Sequence, residues 1–435
     1  MTLLLGPNAG RFRQRDITAV LRPADVASTV AAVVAARAGG LRLHPVSTGR
    51  NWGLGSREPV ADGTALLDLS GLSQIREVDV RAGYAIVEPG VTQQALAAAL
   101  AGTGRMPNLT GASLSTSVLG NLVERGVGLH RQRTEDLAGL EVVLADGTVA
   151  RVGWWPDTAH PAAVYPHGVG PSLNHLFTQS DLAVVTAAVV RLPPRPEAVR
   201  ILPFTFPEER LADAVDLLRE WTAQRLVPPC SKIYNPVTAR GYVSDGSCLA
   251  QVCLSGASAL VEAVAGILAS LAPAWLAPGP PAAAGEAVRA AYSGLPDPDD
   301  TFFARKSAGG AEAVDGRGLL LFLPLIPFTG VDAVRAGALA SGAARGPIGR
   351  PGVIMNVLDA DTLDHLVSIG FDPGDEVAAA AAHETLSVLH TEFAAARYHP
   401  YRYDVDHPAP GRDGVVRGRI KHALDPEGVF APGRH

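Results

Sequence analysis

Pro45-Val46-Ser47-Thr48-Gly49-Arg50-Asn51-Trp52-Gly53-Leu54-Gly55-Ser56 directly follows a run in which Leu41, Leu43 and Pro45 alternate with Arg42 and His44. Such alternation reads as a β-strand, so the loop sits at a strand's end. Gly49, Gly53 and Gly55 allow backbone N–H groups to converge on an anion, and Ser47, Arg50, Asn51 and Ser56 add donors. A diphosphate suits such a loop. The pattern is neither GxGxxG nor GxxxxGK[ST], so neither a Rossmann crevice nor a P-loop is indicated, and alone it is compatible with an ordinary turn.

Working outward, Pro23–Ala36 carries Val26, Val30, Val33 and Val34 at helical spacing and ends at Gly39-Gly40. Short apolar runs at Ala65–Leu69 and Tyr84–Val87 read as strands, and Thr92–Leu100 as a capped helix. Leu140–Val152 has the form of a hairpin with Asp146-Gly147 at its turn. From about Phe204 the pattern changes to a helix at Glu208–Gln224, then strand and helix at Cys248–Leu271 and again at Leu319–Ala340. Met355–Val357 and Leu363–Ile369 add candidate strands, and Asp375–Ala396 reads as a final helix. The fold class expected is α+β in two domains.

With 435 residues, 47% of them hydrophobic, the chain can bury the cores of two domains. A formal net charge of -6 offers no basic field for nucleic acid or an anionic membrane. Cys230, Cys248 and Cys253 are odd in number and lack CxxC spacing, so neither a disulfide framework nor a zinc site is indicated, and a reducing, cytoplasmic setting fits. The start, Met-Thr-Leu-Leu-Leu-Gly-Pro, has no basic region and too short an apolar run for a signal peptide. Ala272–Ala284 is broken by Pro273, Pro278, Pro280 and Pro281 and reads as a loop, not a spanning helix. The histidines show no metal-ligand spacing, so no metal is expected.

A second segment gives the loop its meaning: Gly111-Ala112-Ser113-Leu114-Ser115-Thr116-Ser117-Val118-Leu119-Gly120-Asn121, continuing through Arg125-Gly126-Val127-Gly128 to Gly139-Leu140-Glu141-Val142-Val143. With Val87-Glu88-Pro89-Gly90-Val91, Leu176–Asp181 and Leu424–Arg434, these motifs resemble, in order, the vanillyl-alcohol oxidase/p-cresol methylhydroxylase family. The resemblance implies an FAD-binding domain over residues 1–203 plus 396–435 and a cap over 204–395, with substrate between them. It implies FAD contacts at Ser47, Thr48, Gly49, Arg50, Asn51, Gly53, Gly55 and Ser56 on the pyrophosphate. Pro89, Gly111, Ser113, Thr116, Ser117, Gly120 and Asn121 would follow along the flavin, with Val184 and Val185 as backbone contacts. Ala183 and Asp181 stand where the family usually has Gly and Asn.

The family often tethers FAD through a cap His or Tyr, but Leu319 and Ala311 fall near those places, which implies noncovalent FAD. Tyr401-Arg402 and Arg434 match the family's phenolate-holding residues, whereas Leu54 replaces the loop Tyr. Paired cations of this kind suit a phenolate or equally a carboxylate. The family's catalytic acid has no clear counterpart, since Leu129–Asp136 is shorter; His130 and Glu135 are the candidates, and a family His aligns with Asp364, beside His365. The expected activity is hydride transfer from a small, aromatic or phenolic substrate to flavin, with O₂ or another acceptor taking the electrons. Oxidation of a carboxylate-bearing substrate such as a 2-hydroxy acid is the alternative, and a silent FAD binder the reading from another class. Family habit suggests a homodimer.

Overall fold

Asp25 begins the first helix by accepting the Ser28 N–H at 2.7 Å while its own N–H donates to Ser28 Oγ at 3.1 Å. This capping box starts the helix at Val26, and it runs to Ala38, burying Thr29, Val33 and Ala36. The structure, a computed structural model, describes residues 8–156, 163–167, 170–296, 316–407, 409, 414–431 and 433. Arg434 and Ala311, both named from the sequence, lie outside the described residues.

Helix Val26–Ala38 covers a parallel sheet of β1 (Ile17–Leu21), β2 (Arg42–Val46) and β3 (Thr64–Asp68), ordered β1-β3-β2. A second, antiparallel sheet has the order β4-β5-β8-β6-β7, from β4 (Ile75–Asp79), β5 (Tyr84–Val87), β6 (Leu137–Val143), β7 (Val149–Gly153) and β8 (Val184–Arg191). The expected hairpin is β6–β7, with Gly147 at φ +86° in its turn. The chain's end returns to this half: the Leu43 N–H donates to Val429 O and the Ala431 N–H to Leu43 O, each at 2.7 Å. Phe430 is fully buried there against Leu43 and Leu67, a burial worth about 1.5–3 kcal/mol.

The third sheet is antiparallel throughout. It consists of β9 (Ala198–Phe206), β10 (Lys232–Tyr234), β11 (Cys248–Gly256), β12 (Ala277–Pro278), β13 (Gly318–Pro327), β14 (Gly352–Val357), β15 (Thr362–Phe371) and β16 (His399–Arg402). Their order is β12-β9-β11-β10-β14-β15-β13-β16. The sheet takes in Ala198 and extends to Arg402, so its first and last residues lie just outside the stretch 204–395 expected for the cap. Glu376–Ala395 is not the final helix, because Gly414–Leu424 follows it. Among the described residues, no helix is long and apolar enough to cross a membrane.

Period-two alternation gives this sheet two different faces. Ile233, Leu320, Phe322, Met355, Leu363 and Val367 point back into a core shared with helices Leu211–Ala223, Ser258–Leu271, Gly330–Gly342 and Glu376–Ala395. Lys232, Tyr234, Leu319, Leu321, Leu323, Ile354, Asn356, Asp364 and Leu366 point forward, into a cavity.

Candidate active site

The cavity has a volume of about 980 Å³ and lies between the forward face of the third sheet and two loops of the other half. That is near the upper end of ligand pockets, roughly 300–1,000 Å³, so it accommodates an extended ligand. One loop is the glycine-rich turn after β2; the other is the segment from Thr110 to Asn121. Ser117 joins them to the Pro89 turn: its Oγ donates to Pro89 O at 2.6 Å and accepts the Gly120 N–H at 2.8 Å, capping helix Val118–Val123. A Cβ at Gly120 would lie 2.4 Å from Ser47 Oγ and 3.2 Å from Ser47 Cβ, so glycine lets this helix pack on the first loop without displacing Ser47.

The expected cofactor residues separate by position. Ser47, Thr48, Gly49, Arg50, Asn51, Ser56, Pro89, Gly111, Thr116, Ser117, Gly120, Asn121 and Val185 line the cavity. Gly53 and Gly55 instead serve the loop's docking. Gly53, at φ +72°, would place a Cβ 2.9 Å from the Leu321 backbone nitrogen, whose N–H donates to Gly53 O at 3.0 Å. Gly55, at φ +123°, would meet Val405 Cγ1 at 2.4 Å. Ser113 is buried with its Oγ 3.0 Å from Ser115 Oγ, and Val184, one residue out of phase with Val185, points into the apolar core beneath β2 and β3.

Ser56 Oγ, Thr116 Oγ1 and Asn121 Oδ1 are buried in the cavity wall without a hydrogen-bond partner among the described residues. A native protein rarely leaves such groups unsatisfied, and three along one wall fit a long polar ligand such as the phosphate and ribityl portions of FAD.

At the cap end, Arg402 Nη2 donates to Asn51 Oδ1 at 2.9 Å and lies 3.9 Å from Glu124 Oε2. The neighbouring Tyr401 is fixed through its carbonyl, which accepts from Gln179 Nε2 at 2.7 Å, and burial pushes its hydroxyl well above the ordinary tyrosine range. Both side chains line the cavity. So do Lys232, Asn356 and Asp364, which are 5%, 4% and 1% exposed. Lys232 Nζ donates to Asn356 Oδ1 at 2.5 Å, and Asn356 Nδ2 donates to Asp364 Oδ2 at 2.9 Å. Burial lowers the Lys232 ammonium below its usual range. The same burial pushes the Asp364 carboxyl up to about 7, against the Asn356 hydrogen bond and the charges of Lys232 and Arg402.

His130 and Glu135 are not part of this wall. The His130 ring is held by Tyr292 O at 2.7 Å and packs edge-on against the Tyr292 ring, and burial lowers its basicity. Glu135 is exposed and accepts the Gln132 N–H at 3.0 Å, closing a short 3₁₀ turn. Sequence reading had no reason to join Lys232 and Asn356 to the site. The available signal was a polar residue at an alternate position of an otherwise apolar strand. Outside the cavity, the ligand atoms of His390, Asp404 and His407 lie within 4.8 Å of one another, an assembly that sequence spacing did not show. Both imidazoles are already hydrogen-bonded to the Asp404 carboxylate, at 3.0 Å.

The profile described as an FAD binding domain matches residues 17–153, the stretch that holds both cavity-lining loops. The chain superimposes on p-cresol methylhydroxylase with bound substrate at a TM-score of 0.85 and 22% identity, covering 98% of this chain and 90% of that one. The flavoprotein subunit of 4-cresol dehydrogenase from Pseudomonas putida is 31% identical over 43% of this chain and 37% of its own length. The chain thus carries an FAD binding domain and has the fold of p-cresol methylhydroxylase, in line with the resemblance its motifs show. With this domain and these relatives, it is an FAD-dependent oxidoreductase. A relative matched along nearly the whole chain is 1'-carboxy-chondrochloren decarboxylase of Chondromyces crocatus, 29% identical over 96% of this chain and 90% of its own. The FAD binding domain therefore gives the cofactor and the broad oxidoreductase class, and leaves the substrate to the cap wall.

Proposed function

We propose that the enzyme takes a hydride from a small phenolic substrate whose oxygen is held, as an anion, by Tyr401 and Arg402. The observation that carries this reading is that Arg402 lines the cap end of the cavity while hydrogen-bonded to Asn51 of the cofactor loop. One guanidinium thus ties the substrate's anchor to the flavin's. Arg402 supports the anion because a buried negative oxygen needs a charged, hydrogen-bonding partner, and Tyr401 adds a neutral donor. Leu319, Leu321, Leu323, Ile354 and Leu366 form an apolar wall that orients a ring and excludes water. Bound FAD supplies the hydride acceptor, and the electrons pass afterwards to O₂ or another acceptor. Leu319, at the wall where the family often has its tethering residue, supports noncovalent FAD. Acid denaturation should release the yellow chromophore into the supernatant; flavin in the pellet would overturn the noncovalent assignment. The buried, unbridged Cys230, Cys248 and Cys253 support a reducing, cytoplasmic setting.

A second reading, a carboxylate-bearing substrate, is favoured by Lys232, a second cation in the same wall, and by the name of the Chondromyces relative, a decarboxylase. An anaerobic screen separates the two. Purified enzyme is mixed with 4-alkylphenols, then with 2-hydroxy acids and other carboxylates, and bleaching of the flavin band is followed. Bleaching by phenols alone supports the first reading; bleaching by carboxylates alone replaces it.

A further inference from the structure

We propose that Asp364 is the proton acceptor of the substrate chamber, with Asn356 and Lys232 as positioning residues behind it. This rests on the phenolic reading above, because a phenol must lose its proton for the oxygen to push out a hydride.

The arrangement is a row drawn across three neighbouring strands. Lys232 on β10 stands opposite Asn356 on β14, and Asn356 stands opposite Asp364 on β15, so all three project from the same face toward the cavity. Hydrogen-bond chemistry gives the row one direction. An ammonium can only donate, so the Asn356 carbonyl must face Lys232, and its amide must then face the carboxylate. Asp364 is held through Oδ2, and Oδ1 has no partner among the described residues. A carboxylate pinned by one oxygen and unpartnered at the other is arranged to take a proton from a group brought beside it.

The charges that face Asp364 are Lys232 on β10 and Arg402 on β16; β13, between β15 and β16, presents Leu323 and Leu325. The Cys230 thiol and the Tyr401 hydroxyl, which also sense the Asp364 charge, are both raised by burial and stay neutral near pH 7. The other carboxylates of the wall are engaged: Glu58 accepts the Arg15 N–H at 3.2 Å, and Glu124 faces Arg402. An Asp364 carboxyl at about 7 suits proton exchange at neutral pH. In the step, the substrate O–H bond breaks and an O–H bond forms on Asp364 Oδ1. The electron pair stays on the substrate oxygen beside Arg402, and the proton is lost to solvent once product has left.

The test uses the FAD-loaded enzyme and two variants, with a 4-alkylphenol, whose own ionisation lies far above neutrality, followed by its phenolate absorbance for anaerobic binding and by stopped flow for flavin reduction. In the wild type, phenolate binding and flavin reduction should share an ionisation near neutrality. Asp364→Asn, which keeps the shape, should remove that ionisation from both and slow reduction by about 10²-fold; a wild-type flavin-to-protein ratio shows that it has folded. Lys232→Met removes a cation that favours the carboxylate, so the ionisation should move to higher pH, with rate recovered there. An Asp364→Asn enzyme with the wild-type rate and pH profile overturns the inference and leaves the phenolic reading standing. A Lys232→Met profile unmoved, or moved to lower pH, overturns the role given to Lys232. Failure of the wild type to bind or oxidise any phenol overturns the phenolic reading itself, and this step with it.

Discussion

The two walls of the cavity are made by opposite means. On the cofactor side, short loops present backbone N–H groups and small hydroxyls, with glycines at Gly49 and Gly120 where the chain must bend or a neighbour must approach. On the substrate side, the backbone is consumed by sheet hydrogen bonds, so only side chains at alternate positions reach the cavity, and register decides which ones meet. A wall of backbone donors suits a ligand that never changes. A wall of side chains can be rewritten one residue at a time without disturbing the sheet that carries them.

If that division holds, substitutions on the cap wall should alter chemistry and substitutions on the loop should alter cofactor retention. The largest effect is expected from Arg402→Ala, which removes the charged partner of the substrate oxygen. Flavin reduction should slow by about 10²–10³-fold, the usual cost of losing one donor to a developing charge. The flavin content should change little, because the Arg402 link to Asn51 is one hydrogen bond among many loop contacts. Unchanged reduction would remove Arg402 from the mechanism and break the comparison at its centre. Gly53→Ala should act the other way. Its Cβ would press on the Leu321 backbone, which cannot swing aside, and strain of this kind costs about 1–3 kcal/mol. FAD should bind more weakly in titrations of apoprotein, while the protein that does load reduces at close to the wild-type rate. Gly63→Ala is the control: its φ is also positive, at +74°, but a Cβ there meets nothing within 4 Å. Equal losses of FAD from both variants would show that contact with the cap does not matter.

The same division explains what could be read from the sequence. The loops were legible because their chemistry is local: Ser47 to Ser56 and Gly111 to Asn121 carry their donors within a few residues. The hairpin β6–β7 was legible for the same reason, since Asp146-Gly147 writes its own turn. The row Lys232, Asn356, Asp364 was not, because Lys232 lies 124 positions before Asn356 and meets it only through an antiparallel register that no single segment encodes. β16 was missed as a strand because His399–Arg402 pairs along one edge only, next to Pro324, where β13 lacks an N–H and the ladder shifts. His130 and Glu135 stood in a charged stretch between two of the recognised motifs. Their partners, a distant carbonyl at Tyr292 and a local turn, direct them away from the cavity.

The smaller effects concern what holds the cap wall in place. Asp404 fixes the segment that follows β16 onto helix Glu376–Ala395 by accepting from His390 and His407. Burial alone would raise its carboxyl, but these hydrogen bonds and charges outweigh burial and hold it well below the ordinary range. The sign follows from linkage. A depressed carboxyl contributes stability above its unfolded pKa, about 4, and loses it as the pH falls through the folded value. The His407 imidazole, raised by Asp404, contributes below about 6.5 and loses that stability as the pH rises through its folded value. Asp404→Asn should therefore cost the most stability between about pH 4 and 6.5, roughly the 1–3 kcal/mol of a charged hydrogen bond, read as the largest drop in melting temperature in that window. A uniform loss at every pH would mean that shape, rather than charge, holds the segment. The smallest effect is expected at Glu135→Gln. Its side chain is exposed and closes a 3₁₀ turn, so flavin reduction should match the wild type and stability should fall by no more than about 0.5 kcal/mol. A large loss of rate here would return the proton chemistry to that turn and take it away from the strand-built wall.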